Sequence, residues 1–205
     1  MHSKVEFFNN IAELWDGWED RDALGCVMKA GLQKMEISSH EIILDVGCGT
    51  GNLTQALLGR LGPGAKVAAI DISPRMVEVA KTKVRDGRVS WQVADACQTP
   101  FSSNYFDRIF CFSVWPHFDD PKATALELRR VLRPLGRLHI WHHIGRDKVN
   151  EIHATASPAV SRDILLPAQD LAALLLEWGF DVLEAEETEN HYLISAQKPE
   201  KTGEC

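Results

Sequence analysis

Four of the chain's eight histidines fall within fifteen residues, in the run HIWHHIGRDKVNEIH from His139 to His153. A fifth, His117, stands nearby in VWPHF. An imidazole titrates near neutral pH, so such a cluster suits a general base or a group that orients a substrate; it also suits metal ligation or plain packing. The separation of His143 and His153, H-x9-H, matches no standard ligand template, so no metal is assigned here. The choice among base, packing residue and ligand depends on where the fold places each ring.

A second chemical signature lies upstream. ILDVGCGTG is an apolar run that ends in glycines at 47, 49 and 51, followed by a helical pattern from Asn52. Glycines at alternate positions let the backbone turn sharply and approach a ligand closely, next to the free N–H groups of a helix start. This is a nucleotide-type loop. The dinucleotide fingerprint G-x-G-x-x-G would need glycine where Asn52 stands, which weakens a nicotinamide reading.

These groups must be positioned by an α/β chain. From residue 42 onward, short β-rich apolar runs alternate with amphipathic segments, the pattern of a doubly wound, mostly parallel sheet with helices on both faces. Strands are expected at 42–46, 66–71, 89–94, 106–111 and 137–143. Helices are expected at about 52–60, 74–84, 121–132 and 168–178, the last stopped by Gly179. Two final strands, 180–186 and 191–197, have nothing helical between them and should form an antiparallel hairpin at the edge, completing seven strands. Alternation along 137–143 puts His139, Trp141 and His143 on one face and Leu138, Ile140 and His142 on the other. His139, mid-strand, is expected in the core, and His142 and His143 at the ligand edge, outside the carboxyl ends of the strands. The connection 144–166 is long for an α/β unit, and long loops are often functional. Within it Asp147 should cap a short helix over 148–155, bringing Asn150 and His153 to one face. If the segment folds over the cleft, His117, His143, His153, Asn150 and Asp163 converge. His2, His40 and His191 look peripheral.

The ordered motifs carry a family resemblance over residues 40–197. LDVGCGTG resembles the first motif of class I S-adenosylmethionine-dependent methyltransferases, in particular the small-molecule branch that includes the ubiquinone and menaquinone biosynthesis enzymes. Asp71, ending the second strand in AAIDISPRMVEVA, stands where the family has the acid for the ribose hydroxyls, and a carboxylate can accept from both members of a vicinal diol. Asp95, in VADACQTPF, resembles the acid that meets the adenine amino group, with Ala96 beside it. FDRIFCFSVWPHF and ELRRVLRPLGRLHI resemble the fourth-strand motif, which runs along the methionine part of the cofactor, and the helix, turn and strand that follow. The resemblance implies S-adenosyl-L-methionine as cofactor, held by Asp45, Gly47, Cys48, Gly49, Gly51, Asp71, Ile72, Met76, Asp95, Ala96, Phe112 and Ser113. His143, His153, His117 and Asn150 are the candidate catalytic groups. It implies one methyltransferase domain over 1–205, a transferase acting on a small-molecule acceptor by in-line displacement. A non-catalytic S-adenosylmethionine-binding sensor or partner subunit is the alternative. One departure is Leu135 in RPLG, where the family usually has glycine, so a left-handed turn residue there would be strained.

That domain divides into an N-terminal helical cap (1–38), a Rossmann-like core (39–198) carrying the 144–166 insertion, and a frayed tail (199–205). Phe7, Phe8, Ile11, Leu14, Trp15 and Trp18 have helix-compatible spacing, which suits a helix packed on the sheet as well as a lid; the expectation for the cap is a lid over the acceptor. The net charge of −7 opposes phosphate contacts, which disfavours nucleic acid. No apolar run reaches the roughly 18 residues of a membrane span, and the N-terminal residues lack a signal-peptide pattern. Five cysteines (26, 48, 97, 111 and 205) form no C-x-x-C pair and read as reduced thiols, mostly in the core. The expectation is a cytoplasmic monomer or homodimer.

Overall fold

The computed structural model describes residues 2–200. Met1, Cys205 and the expected frayed tail from residue 201 onward lie outside the described residues, as does the side chain of His2. The chain begins with helices α1 (His2–Ile11) and α2 (Arg21–Lys34), joined through a short 3₁₀ turn at Trp15–Gly17. Asp20 caps α2, its side chain accepting from the N–H groups of Asp22 and Ala23. Alternating elements follow: β1 (Ile42–Val46), α3 (Asn52–Leu58), β2 (Lys66–Asp71), α4 (Pro74–Lys83), β3 (Val89–Val93), β4 (Phe106–Phe112), α5 (Pro121–Val131) and β5 (Leu132–His142). Then come α6 (Arg146–Ala156), α7 (Ala168–Glu177), β6 (Asp181–Thr188) and β7 (His191–Gln197).

The seven strands form one sheet in the order β3-β2-β1-β4-β5-β7-β6. β1 to β5 are parallel, and β7 is antiparallel to both β5 and β6. The reversal of order beside β1 is where an open α/β sheet leaves a crevice at its carboxyl edge. Side chains of successive residues go to opposite faces and fill two separate cores. Ile43, Val67, Phe110 and Trp141 join Met28 and Leu32 of α2 and Leu53 and Leu57 of α3. Leu44, Ile70, Ile109 and Ile140 join Ala125 and Leu128 of α5 and Leu171 and Leu175 of α7. A Cβ on Gly31 would lie 2.5 Å from Trp141, so the glycine is what lets α2 lie directly on β5.

Several expectations need correction. α5 stops at Val131 because β5 begins at Leu132, five residues before the expected strand. The RPLG turn lies inside that strand, with Leu135 at φ 61°. The left-handed turn is kept and leucine adopts it, half-exposed, at the steric cost expected of a residue with a Cβ. Asp147 does not cap α6. Gly145 is the N-cap residue, and a side chain there would collide with the carbonyls of Thr188 and Glu189; Asp147 is exposed and pairs with Arg146. Of the thiols, Cys48 and Cys111 are buried, but Cys26 is exposed and Cys97 intermediate. Among the described residues no helix is long and apolar enough to cross a membrane.

Candidate active site

The carboxyl edge of the sheet, α1, the 3₁₀ turn after it and α6 enclose a cavity of about 400 Å³. One half of its wall is the glycine loop. Gly47, Gly49 and Gly51 take φ of 65°, 51° and 84°, a region that side chains with a Cβ disfavour. At Gly47 a Cβ would lie 2.2 Å from Val114, whereas at Gly49 it would meet nothing within 4 Å. The loop is therefore packed behind and open in front, a surface on which backbone can meet a ligand closely.

Three carboxylates stand around that opening. Asp71, at the end of β2, accepts from Gly49 N–H at 2.9 Å on one oxygen and from Ser73 N–H at 2.8 Å on the other. Burial raises its pKa despite these bonds and a further one from the Ile72 backbone. Asp45, almost wholly buried, accepts from Thr54 Oγ1 at 2.5 Å. Burial, with the nearby Asp71 charge adding to it, pushes its pKa up to about 7. Asp95 accepts from Cys97 N–H at 2.8 Å, which shapes the turn after β3. With Cys48, Ile72, Met76, Ala96, Phe112 and Ser113, these line the cavity. Gly51 does not reach it: as N-cap of α3 it lies against Trp91 and Ala80. Ser113 holds a left-handed φ of 52°, its N–H donating to Trp141 O at 2.8 Å.

The other half of the wall is aromatic and imidazole. Phe7, Phe8, Trp15 and Trp18 come from the N-terminal segment, Val149, Ile152, His153 and Ala156 from α6. His117, just past β4, bonds through Nδ1 to Asp163 Oδ2 at 2.7 Å, and its ring centroid lies 4.6 Å from that of His153. His153 bonds through Nδ1 to the Asp163 carbonyl at 2.7 Å, and burial draws its pKa down. Burial alone would raise the Asp163 pKa, but bonds from His117 and Lys4 hold it below the ordinary carboxylate range. His143 lines the same cavity through a different set of contacts: Nε2 to Glu19 at 3.0 Å, Ser113 Oγ at 3.5 Å from Nδ1, and its ring stacked on Phe112.

Asn150, expected among these groups, lies elsewhere. Its amide donates to Leu165 O at 3.1 Å and accepts from Leu165 N–H at 2.8 Å, clamping the loop after α6. The face of α6 that meets the cavity runs 149, 152, 153, 156, which leaves position 150 to one side. His139 is a core residue as expected, bonded to Arg108 and Ser195. His142 lies at the ligand edge as expected; its imidazole forms part of the wall, is buried, and has no hydrogen-bond partner at Nε2 among the described residues. Burial, together with the neighbouring histidines, lowers its pKa to about 3, so it stays neutral. Among the described residues no group of three His, Cys, Asp or Glu side chains is arranged to hold a metal ion.

Sequence reasoning missed the polar straps from the N-terminal segment. Asp16 accepts from Thr50 Oγ1 and Asn52 Nδ2 and pairs with Lys83, so it binds the glycine loop. Asn9 accepts from Ser73 Oγ and Arg75 N–H at the start of α4. Lys4 pairs with Asp163 at 2.8 Å. Its position one turn before Phe7 and Phe8, on the same helix face, was a signal available in the sequence.

Residues 44–140 match the family model described as a methyltransferase domain. The chain is similar to methyltransferase GfsG of Streptomyces halstedii, 30% identical over 185 residues, which are 82% of this chain and 65% of the relative. It is also similar to the ubiquinone/menaquinone biosynthesis C-methyltransferase UbiE of Bordetella avium, 30% identical over 142 residues, 63% of this chain and 56% of the relative. The chain thus spans less than two thirds of the length of these curated relatives. In fold it resembles the methyltransferase in a complex with the Trm112 methyltransferase activator of Haloferax volcanii: TM-score 0.79, 19% identity, 94% of this chain and 97% of that one covered.

Proposed function

We propose that the chain is a class I S-adenosylmethionine-dependent methyltransferase, a reading supported by its match to a methyltransferase domain and by its methyltransferase relatives, and that it moves a methyl group from S-adenosylmethionine to a small-molecule acceptor by in-line displacement. One observation carries the reading. A glycine-loop half with buried carboxylates and an aromatic half with an oriented imidazole share a single cavity.

The residues fit the cofactor. The open front of Gly49 leaves room for it, the acceptor oxygens of Asp71 suit a vicinal diol, and the buried Asp45 carboxylate suits a cationic group. Asp95 and Ala96 would hold the base, and Phe112 and Ser113 the methionine end. Bound there, S-adenosylmethionine supplies a methyl on a sulfonium, already a good leaving group. The protein's part is to hold the acceptor in line in a dry pocket and to remove its proton. Phe7, Phe8, Trp15, Trp18 and Ile152 exclude water and suit an acceptor with an apolar body. His117, fixed through Nδ1 by Asp163, takes the acceptor's proton; His153 packs on it, and His143 orients the acceptor from the Glu19 side.

We read residues 1–38 as a cap, with the segment to Glu19 closing the site, and the chain as one domain. Buried free thiols fit a reducing compartment such as the cytoplasm. The net charge of −7 argues against a nucleic-acid acceptor. The test is to add the protein to a small-metabolite extract with methyl-labelled S-adenosylmethionine. Label should pass into an organic-extractable product together with S-adenosylhomocysteine. Tight S-adenosylhomocysteine binding with no labelled product from any extract would instead assign a non-catalytic binding role.

A further inference from the structure

Lys4 sits on α1, before the first strand, yet its ammonium meets both members of the His117–Asp163 pair. Its Nζ lies 2.8 Å from Asp163 Oδ1, 2.8 Å from Asp119 Oδ1 and 3.0 Å from the main-chain carbonyl of His117. An ammonium has three N–H donors and no acceptor, so these three contacts use all of them. Asp163 Oδ2 takes His117 Nδ1 at 2.7 Å, and Lys4 holds the opposite oxygen. The carboxylate plane is thereby fixed from one side by the ring it orients and from the other by a cation tied to that ring's own backbone.

We propose that Lys4 is a positioning residue for the His117–Asp163 pair, so that the base is assembled only when α1 is seated on the cleft. This rests on the reading that the pair serves methyl transfer. A role as a simple pin for α1 is already filled by others. On α1 Asn9 binds Ser73 and Arg75 and Phe8 packs edge-on against His117, and just past the helix Glu13 pairs with Arg75. Asp163 Oδ1, by contrast, is met by Lys4 alone among the described residues, and leaving a buried carboxylate oxygen unpaired is costly. Burial opposes the lysine's charge, but its bonds to Asp119 and Asp163 keep its pKa above the ordinary value, so the cation persists throughout the working pH range. Closure of the N-terminal segment and readiness of the base thus become one event.

The experiment is NMR on the full chain with ¹⁵N-histidine, with S-adenosylhomocysteine as the only added ligand. In wild type the His117 Nδ1–H should be visible and protected from exchange. Lys4→Met should speed its exchange at least tenfold, and Lys4→Arg should restore protection to within a few-fold. S-adenosylhomocysteine affinity should stay within a few-fold in all three. A second measurement needs no variant: in wild type the ring proton and the α1 amides should exchange with the same opening equilibrium. A ring proton equally protected in Lys4→Met, or protected while the α1 amides exchange freely, overturns the proposal. If the linkage holds but His117→Gln leaves methyl transfer intact, it is the function assigned to the pair that fails, not the role of Lys4.

Discussion

Replacing Asp45 by asparagine should stabilise the protein, and increasingly so as pH rises. Asp45 is 1% exposed and is bonded by Thr54, whose Oγ1 hydroxyl donates to it, a bond that an asparagine carbonyl can also accept. Burial raises its pKa from 3.8 to about 7, a difference of about 3 units, or about 4 kcal/mol between the two protonation states. The folded state holds this proton more tightly than the unfolded chain. Below pH about 4 both states are protonated and the term is absent; stability is then lost as pH rises toward 7, above which the loss is complete. Between pH 5 and pH 8 the wild type should lose about 2 to 3 kcal/mol through this group, and Asp45→Asn should not. Urea unfolding of both proteins at the two pH values isolates the term, because other titrating groups cancel in the difference. An advantage for the variant that stays the same at pH 5 and pH 8 refutes the reasoning. The variant's gain should come with weaker cofactor binding, since the ionised carboxylate is what a cationic ligand would meet.

Asp71→Ala should weaken S-adenosylhomocysteine binding by about 1 to 3 kcal/mol, read by calorimetry, because it removes both the hydroxyl acceptors and the anchor of Gly49 N–H. Leu135→Gly should stabilise the fold by about 1 kcal/mol in denaturant titration, since it relieves a left-handed backbone at a half-exposed position. Asn150→Ala should lower stability by about 1 to 2 kcal/mol in the same assay while leaving cofactor affinity unchanged, because it opens the clamp on Leu165.

The parts of the site that were legible in the sequence are those dictated by backbone geometry. Glycines 47, 49 and 51 are required where φ is positive, and Asp71 follows from its place at a strand end. The hairpin of β6 and β7 followed from two strand patterns with no helix between them. What stayed hidden depends on contacts between distant residues. Asn150 looked like a cavity residue by helix spacing, yet both ends of its amide are claimed by Leu165, fifteen residues on. Gly145 rather than Asp147 starts α6 because the β6–β7 turn crowds that position, which no local propensity records. Lys4 shares a helix face with Phe7 and Phe8, which is legible in the sequence, but only folding brings it to Asp163 and to the carbonyl of His117, 113 residues away.

The central claim is that this cavity carries out methyl transfer with His117 as the group that takes the proton. It is tested most directly by the rate of label transfer from methyl-labelled S-adenosylmethionine in wild type and His117→Gln, with bound cofactor matched. The rate should fall by about 10²- to 10⁴-fold in the variant with S-adenosylhomocysteine affinity unchanged. Equal rates in the two proteins would contradict it.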